Sequence, residues 1–228
     1  MTLDTMNSGR SDRTASRKAR RRQLIRATID SVAKRGLSDT TLATVTNGAK
    51  LSHGTINFHF RSKERLLVET LKFLSEEHHD HWRGALKKAG PTPQEQLTAL
   101  VETDFDPVIC SPKKLAVWFA YWGEAKVRPA YLDICGSYDL ERLAEMTRLS
   151  RLLKEDGRYD RIDPSLVAQS LETLIDGLWL NMLLYPQIYP RESARRNCMA
   201  FLAGMFPHHF PLAAAADCTG HLRCDSKG

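Results

Sequence analysis

Residues 51–67 read LSHGTINFHFRSKERLL, and the fold of the chain is decided by what this stretch is for. Ser52 is a natural N-cap for a short helix. Behind it Ile56 and Phe60, four residues apart, point back to a core, while His53, Gly54, Thr55, Asn57 and His59 can present hydroxyl, amide and imidazole groups outward. Polar groups at that density can hydrogen-bond base edges and phosphates. A plainly solvated helix has the same pattern, so the residues alone leave both readings open.

The flanking sequence narrows the choice. Upstream, SDTT offers N-caps for LATVTNG, a helix of barely two turns, and a tight connection joins it to the helix after Ser52. Helix, short turn, helix over residues 41–58 is the layout of a helix-turn-helix, whose second helix enters the major groove. Downstream, Ser62 caps another helix whose first residue, Lys63, can extend its ammonium toward a backbone phosphate. Further upstream, a helix is expected from about Lys18, with Ile25, Ile29 and Val32 on one face, ending at Gly36.

Charge is unevenly spread. Residues 1–66 hold 14 of the 33 Lys and Arg but only 5 of the 27 Asp and Glu, a surplus of nine positive charges, whereas the remainder carries a surplus of three negative ones. Eight basic residues face one acid between Arg10 and Arg26. A basic arm of this kind favours polyanions such as nucleic acid, although a solubilising tail has the same composition. The first 17 residues lack apolar periodicity and are expected to be disordered.

Beyond residue 62 the chain announces its helix starts clearly. A long pattern from Lys63 to about Lys88 places Leu67, Leu71, Leu74, His78 and Trp82 on one face, and Gly90 stops it. Thr92-Pro93-Gln94-Glu95 forms a capping box, and Ser111-Pro112 and Asp163-Pro164 repeat the cap-then-proline signal. No strand or hairpin pattern intervenes, so the expected fold is all-α. The helix predicted over about 164–185 carries Leu166, Val167, Leu171, Leu174, Ile175, Leu178, Trp179, Met182 and Leu183, too many apolar positions for one wet face. It is expected to be buried nearly all round. A second copy of the chain could cover the surplus face, pairing this helix and the next (191–205) into a four-helix bundle across a two-fold axis, or the chain's own helices could do so. The expected organisation is a basic arm (1–17), a helix-turn-helix DNA-binding domain (18–66), a ligand-binding and dimerisation domain (67–207) and a flexible tail (208–228).

The stretch S-H-G-T-I-N-F-H-F-R-S-K-E-R-L-L, with RRQLIRATIDSVAKRGLSDTTLATV before it, resembles the DNA-binding signature of TetR-family bacterial transcriptional regulators over roughly residues 20–70. The resemblance implies that His53, Gly54, Thr55, Asn57 and His59, with Ser52 at their head, face DNA, and that Thr41 and Lys63 contact phosphates. Two positions depart from the family pattern. Lys50 stands where the turn usually has glycine, which strains the backbone if φ stays positive. Asn57 stands where tyrosine is usual; asparagine can pair bidentately with adenine, so the preferred operator is expected to differ.

LAVWFAYWGEAKVRPAYL and LIDGLWL resemble, more loosely, the BetI-type branch of choline-responsive repressors. That implies a homodimer on a pseudo-palindromic double-stranded DNA operator, released by a small-molecule effector such as a quaternary ammonium. The residues offer a modest independent argument. Trp118, Tyr121 and Trp122 share a helical face, and aromatic rings attract cations. Asp176, near Trp179 in an otherwise apolar helix, can supply a counter-charge or pair with an arginine from another helix or subunit. An aromatic stripe at this spacing also describes ordinary core.

Other classes fit less well. Five scattered cysteines match neither a disulfide framework nor a paired zinc motif, which points to a reducing cytoplasm. The longest apolar stretches, LAVWFAYW and LWLNMLLY, are too short to span a bilayer, so no membrane partner is expected. His78, His79, Asp80 and His81 point different ways on a helix, and His208, His209, Cys218, His221 and Cys224 match no familiar metal spacing. Phosphate loops, nucleophile elbows and paired carboxylates are missing, so neither an enzyme nor a cofactor or metal is expected.

Overall fold

The computed structural model describes residues 4–124 and 128–211. Among the described residues there are nine helices and no strand: α1 (Asp4–Arg35), α2 (Leu42–Ala49), α3 (His53–Phe60), α4 (Lys63–Lys88), α5 (Pro93–Asp104), α6 (Pro112–Gly123), α7 (Arg128–Gly157), α8 (Pro164–Leu184) and α9 (Arg191–Met205). The all-α expectation therefore holds.

The starts follow from local chemistry. Thr41, Ser52, Ser62, Thr92 and Ser111 each accept a hydrogen bond from a backbone N–H in the first turn, and Asp163 accepts two. At Thr92 the expected capping box is complete, with Glu95 reaching back to the Thr92 N–H at 3.0 Å. The Glu95 carboxylate lies where a side chain on residue 90 would stand, at 2.2 Å from an added Cβ, so a larger residue there would displace the Glu95 side chain from its cap. Gly36, at φ +80°, closes α1.

Three small helices make the head. Leu24, Ile25, Ile29 and Val32 of α1 are buried against Val45 of α2 and Ile56 and Phe60 of α3, and each such side chain stabilises by roughly 1.5–3 kcal/mol. Ser31 ties α1 to the α2 approach through 3.1 Å contacts with the hydroxyls of Thr40 and Thr44. α4 leaves the head and carries Leu67, Leu71, Leu74 and Trp82 into the core of the second domain, where it meets α5 and α7. α6 packs on both α1 and α8, and Lys113 bonds Asp30 across the α1–α6 contact at 2.6 Å. The head thus touches the second domain through α4 and α6.

Three expectations are corrected. α1 starts at Asp4 rather than near Lys18, so residues 4–17 continue the helix instead of forming a disordered arm. Extending an existing helix adds a hydrogen bond per residue without a new nucleation cost, and no proline intervenes. α8 is not buried all round in the single chain: Val167, Leu171, Ile175, Leu178 and Trp179 are covered, but Leu166 (59% exposed), Leu180 and Leu184 (56%) are open, with Tyr185 and Ile188 exposed just beyond. The chain's own α6, α7 and α9 reach only one side of it. Finally, the chain past Phe206 stays docked as far as Phe210, which is buried, while His209 contacts Tyr159 and Asp156. The rest of the expected tail, with Cys218, His221 and Cys224, lies outside the described residues.

Candidate DNA-reading surface and ligand pocket

Short-range hydrogen bonding shapes the head surface. Lys50 ends α2 at φ 52°, ψ 41°, in the left-handed region that the turn normally gives to glycine. Its N–H caps α2, and the Leu51 N–H bonds the Thr46 carbonyl at 3.1 Å, so the turn keeps its geometry against a strain of about 1–2 kcal/mol. Ser52 then starts α3, accepting from the Thr55 N–H at 3.3 Å while the two hydroxyls meet at 3.0 Å. Thr41 and Thr44 form a reciprocal capping box on α2.

The predicted head residues divide by environment. His53, Gly54 and Asn57 of α3 are exposed and Thr55 and His59 are half-buried, with Gly54 turned to the face away from Ile56 and Phe60 and Asn57 at the edge of that face. Gly54 has no internal reason to be glycine: it has no positive φ, and an added Cβ would meet only the Ser52 hydroxyl at 3.7 Å, an ordinary contact. Burial, followed by the charges of Arg17, Arg21 and Arg20, holds the His59 imidazole below its usual pKa. Neutral His59 can both donate and accept. Lys63 donates one N–H to the Ser38 carbonyl at 2.7 Å, which ties α4 to the α1–α2 loop.

Phe58 was not singled out from the sequence, yet it is 67% exposed on this same face, with the Arg17 guanidinium 5.1 Å from its ring centre. A phenylalanine carries no hydrogen-bonding group, so it does not stand out as a base reader even where Ile56 and Phe60 fix the helix phase and turn it outward.

The second domain holds a cavity of about 420 Å³ among α4, α5, α6, α7 and α8. Trp118, Trp122, Asp176 and Trp179, far apart in sequence, meet on its wall. The rings of Trp122 and Trp179 are stacked, 6.5 Å apart and 9° from parallel. Tyr121 does not line the cavity: it is 1% exposed and its hydroxyl donates to the Leu67 carbonyl at 2.7 Å, locking α6 to α4. Tyr121 stands at the flank of the face that carries Trp118 and Trp122, on the side that meets α4.

The wall is also strongly acidic, which the sequence reading missed. Asp104, Asp139, Glu172 and Asp176 line it against the cations Arg142 and, when protonated, His78. Arg142 is buried and forms ion pairs with both Asp104 and Glu172; His78 shares Asp104 at 2.9 Å. Burial opposes the Arg142 charge, but Asp104 and then Glu172 more than offset it, raising its pKa. The Trp179 indole N–H donates to the Asp104 carbonyl at 2.9 Å, so the ion network also fixes an aromatic wall.

Two other carboxylates of the wall form no ion pair among the described residues, although the charge of Arg142 reaches both. Asp139 accepts the Tyr131 hydroxyl at 3.3 Å, and desolvation raises its pKa against that bond and the charges of His78 and Arg142. Asp176 has no hydrogen bond or ion pair among the described residues; its surroundings and then the charge of Glu172 push it up to about 7, although its edge is open to solvent. Among the described residues Asp176 therefore forms no ion pair with an arginine, although the charge of Arg142 acts on it. An aromatic panel beside carboxylates that form no ion pair is suited to an organic cation. Among the described residues no group of three His, Cys, Asp or Glu side chains could hold a metal, and no helix is long and apolar enough to cross a membrane.

A helix-turn-helix head packed through α4 and α6 on a helical domain with a cavity defines a class: DNA-binding regulators of transcription. Comparison with known proteins makes the class specific. Residues 24–70 match the bacterial regulatory proteins of the tetR family, and residues 93–207 match the C-terminal domain of BetI-type transcriptional repressors. The HTH-type transcriptional regulator BetI of Cronobacter sakazakii is 32% identical over 195 residues, covering 83% of this chain and 94% of its own. That of Escherichia coli K12 is 30% identical, covering 79% and 89%. A putative transcriptional regulator from Pseudomonas aeruginosa PAO1 superposes with a TM-score of 0.71 at 27% identity, over 84% of this chain and 93% of its own. A putative regulator from Saccharomonospora viridis, solved in complex with choline, has the same fold, with a TM-score of 0.67 at 23% identity over 80% and 94%. The chain belongs to the TetR family, with a C-terminal domain of the BetI type; its relatives are transcriptional regulators and not enzymes.

Proposed function

We propose that the protein is a homodimeric repressor whose heads read a pseudo-palindromic operator and whose second domain senses a small organic cation that releases it. The observation that carries the effector class is the cavity, where the stacked Trp122 and Trp179 share a wall with Asp139 and Asp176, carboxylates that form no ion pair among the described residues. The BetI name of its relatives and the choline held by the Saccharomonospora regulator favour choline or betaine aldehyde as that cation, with glycine-betaine or related metabolism as the regulated process.

The basic head supplies the sequence-independent attraction to phosphates, and His53, Thr55, Asn57 and His59 supply groups for base edges, with Gly54 allowing close approach. Thr41, Ser52 and Lys63, at helix starts, are placed for phosphate contacts as well as for capping and loop tethering. The open apolar side of α8, from Leu166 to Leu184, pairs with its copy and with α9 in a four-helix bundle. Coupling runs through α6 and α4. α6 contributes Trp118 and Trp122 to the cavity and packs on α1 of the head, and α4 contributes His78 and runs out of the head itself. A cation that draws these walls together favours the dimer geometry in which the heads no longer fit adjacent grooves.

The test is a gel-shift titration of the full chain on DNA upstream of its own gene, at fixed salt with excess competitor, with and without choline. The reading expects a specific complex that choline dissociates. A specific complex indifferent to choline and to betaine aldehyde refutes the effector assignment and leaves the head intact; failure to form any specific complex refutes the head assignment.

A further inference from the structure

We infer that Phe58 is a base-reading residue, which selects a thymine in each half-site through contact with the 5-methyl group. The inference rests on the assignment of α3 to the major groove and goes beyond it by naming a residue and the base atom that it recognises.

The first ground is position. At about 100° per residue along a helix, Phe58 lies half a turn from the midpoint of Ile56 and Phe60, the two buried residues of α3. Of the eight residues of that helix it points most directly away from the core, between Gly54 and Thr55. The residue aimed most squarely at the groove is therefore the one with no hydrogen-bonding group.

The second ground is the missing cover. A phenylalanine side chain gains stability when buried, yet Phe58 is 67% exposed. Its ring is braced without being covered. Arg17 lies over one face at 5.1 Å from the centroid, and His59 meets it edge-on at 5.2 Å and 83°. Both contacts hold the ring upright, and Arg17 keeps a cation beside it where the DNA backbone passes.

The third ground is the chemistry of the groove. The acceptors and donors of guanine, cytosine and adenine offer an apolar ring nothing and lose water to it without return. The thymine methyl is the apolar group on the major-groove edge of the four standard bases. Asn57, the next residue, carries the amide suited to adenine N6 and N7. Together the two neighbours predict a half-site with A·T pairs under the centre of α3.

The experiment selects duplexes from a random library with the full-length protein and then replaces each thymine of the selected half-site in turn by deoxyuridine, which removes only the methyl. Gel shifts at fixed salt are expected to show one position per half-site where the replacement weakens binding by about fourfold, the worth of one buried methyl-sized group, and more when both half-sites are changed. Phe58→Ala should bind thymine and uracil duplexes equally at that position, Phe58→Leu should still prefer thymine, and both should melt like the parent because the side chain is exposed. Equal binding of thymine and uracil by the parent at every position overturns the proposal, as does a Phe58→Ala protein that keeps the full preference. A library that yields no specific site overturns the head assignment and this proposal with it, whereas a specific site indifferent to the methyl overturns this proposal alone.

Discussion

Replacing Gly54 by alanine should make the protein more stable and a worse DNA binder. The Cβ added there meets nothing nearer than the Ser52 hydroxyl at 3.7 Å, and the backbone is helical, so the fold loses no contact and accepts no strain. Glycine inside a helix costs roughly 0.5–1 kcal/mol relative to alanine because it has more freedom to lose on folding. Removing that cost should raise the thermal midpoint by about 1–4 °C for a chain of this size. The same methyl stands on the exposed face of α3, where the backbone is to approach the groove. A group forced into a closely packed contact costs about 1–3 kcal/mol, which is roughly a tenfold to hundredfold loss of operator affinity. Differential scanning calorimetry at fixed protomer concentration gives the first quantity, and gel shift at fixed salt the second. A Gly54→Ala protein that melts lower than the parent shows that the glycine serves the fold; one that melts higher and binds DNA unchanged shows that this face of α3 does not lie against the duplex.

Tyr121→Phe removes one buried hydrogen bond to Leu67, worth about 1 kcal/mol, so the midpoint should fall by about 2–4 °C while cation affinity holds; a changed affinity with an unchanged midpoint would return Tyr121 to the cavity wall. Lys50→Gly relieves a left-handed lysine at φ 52° and should raise stability by up to about 1 kcal/mol, read by urea denaturation, with no gain meaning that the turn is unstrained. Asp176, pushed up to about 7 from the usual carboxylate value near 4, should make cation binding strengthen as pH rises through 7, because only the ionised form attracts the ligand. By the same linkage its folded-state pKa is raised, so the stability it contributes to the ligand-free fold is fully present below pH 4 and is lost as pH climbs through 7. Calorimetric titration and thermal melts at pH 5.5 and 8 check both, with Asp176→Asn expected to flatten each. Leu184→Glu places a charge on the open side of α8 and should convert a dimer to a monomer in sedimentation; a persisting dimer would locate the interface elsewhere.

The head was legible in the sequence because its determinants are local. Caps at Thr41, Ser52 and Ser62 act within four residues, and Ile56 and Phe60 fix which way α3 faces. Even so, Phe58 was passed over, since a side chain without a hydrogen-bonding group is not marked as a base reader, although the phase set by Ile56 and Phe60 already turns it outward. The start of α1 was misplaced for the opposite reason: helix elongation depends on the turns already formed downstream, and the polar composition of residues 4–17 does not show them.

The sequence by itself determined where α2 to α6 and α8 start and their caps, along with two members of an aromatic cluster, Trp118 and Trp122. Only the tertiary structure decided the cavity. His78, Asp104, Trp122, Asp139, Arg142, Glu172, Asp176 and Trp179 come from five helices and meet only when α4 to α8 are packed. The Arg142 ion pairs with Asp104 and Glu172 span 38 and 30 residues of chain, and the Trp179 bond to Asp104 spans 75. Helical periodicity governs contacts three and four residues apart and carries no information at those separations. The same packing turned Tyr121 into the core and left one side of α8 open, because which faces are covered depends on where the neighbouring helices end.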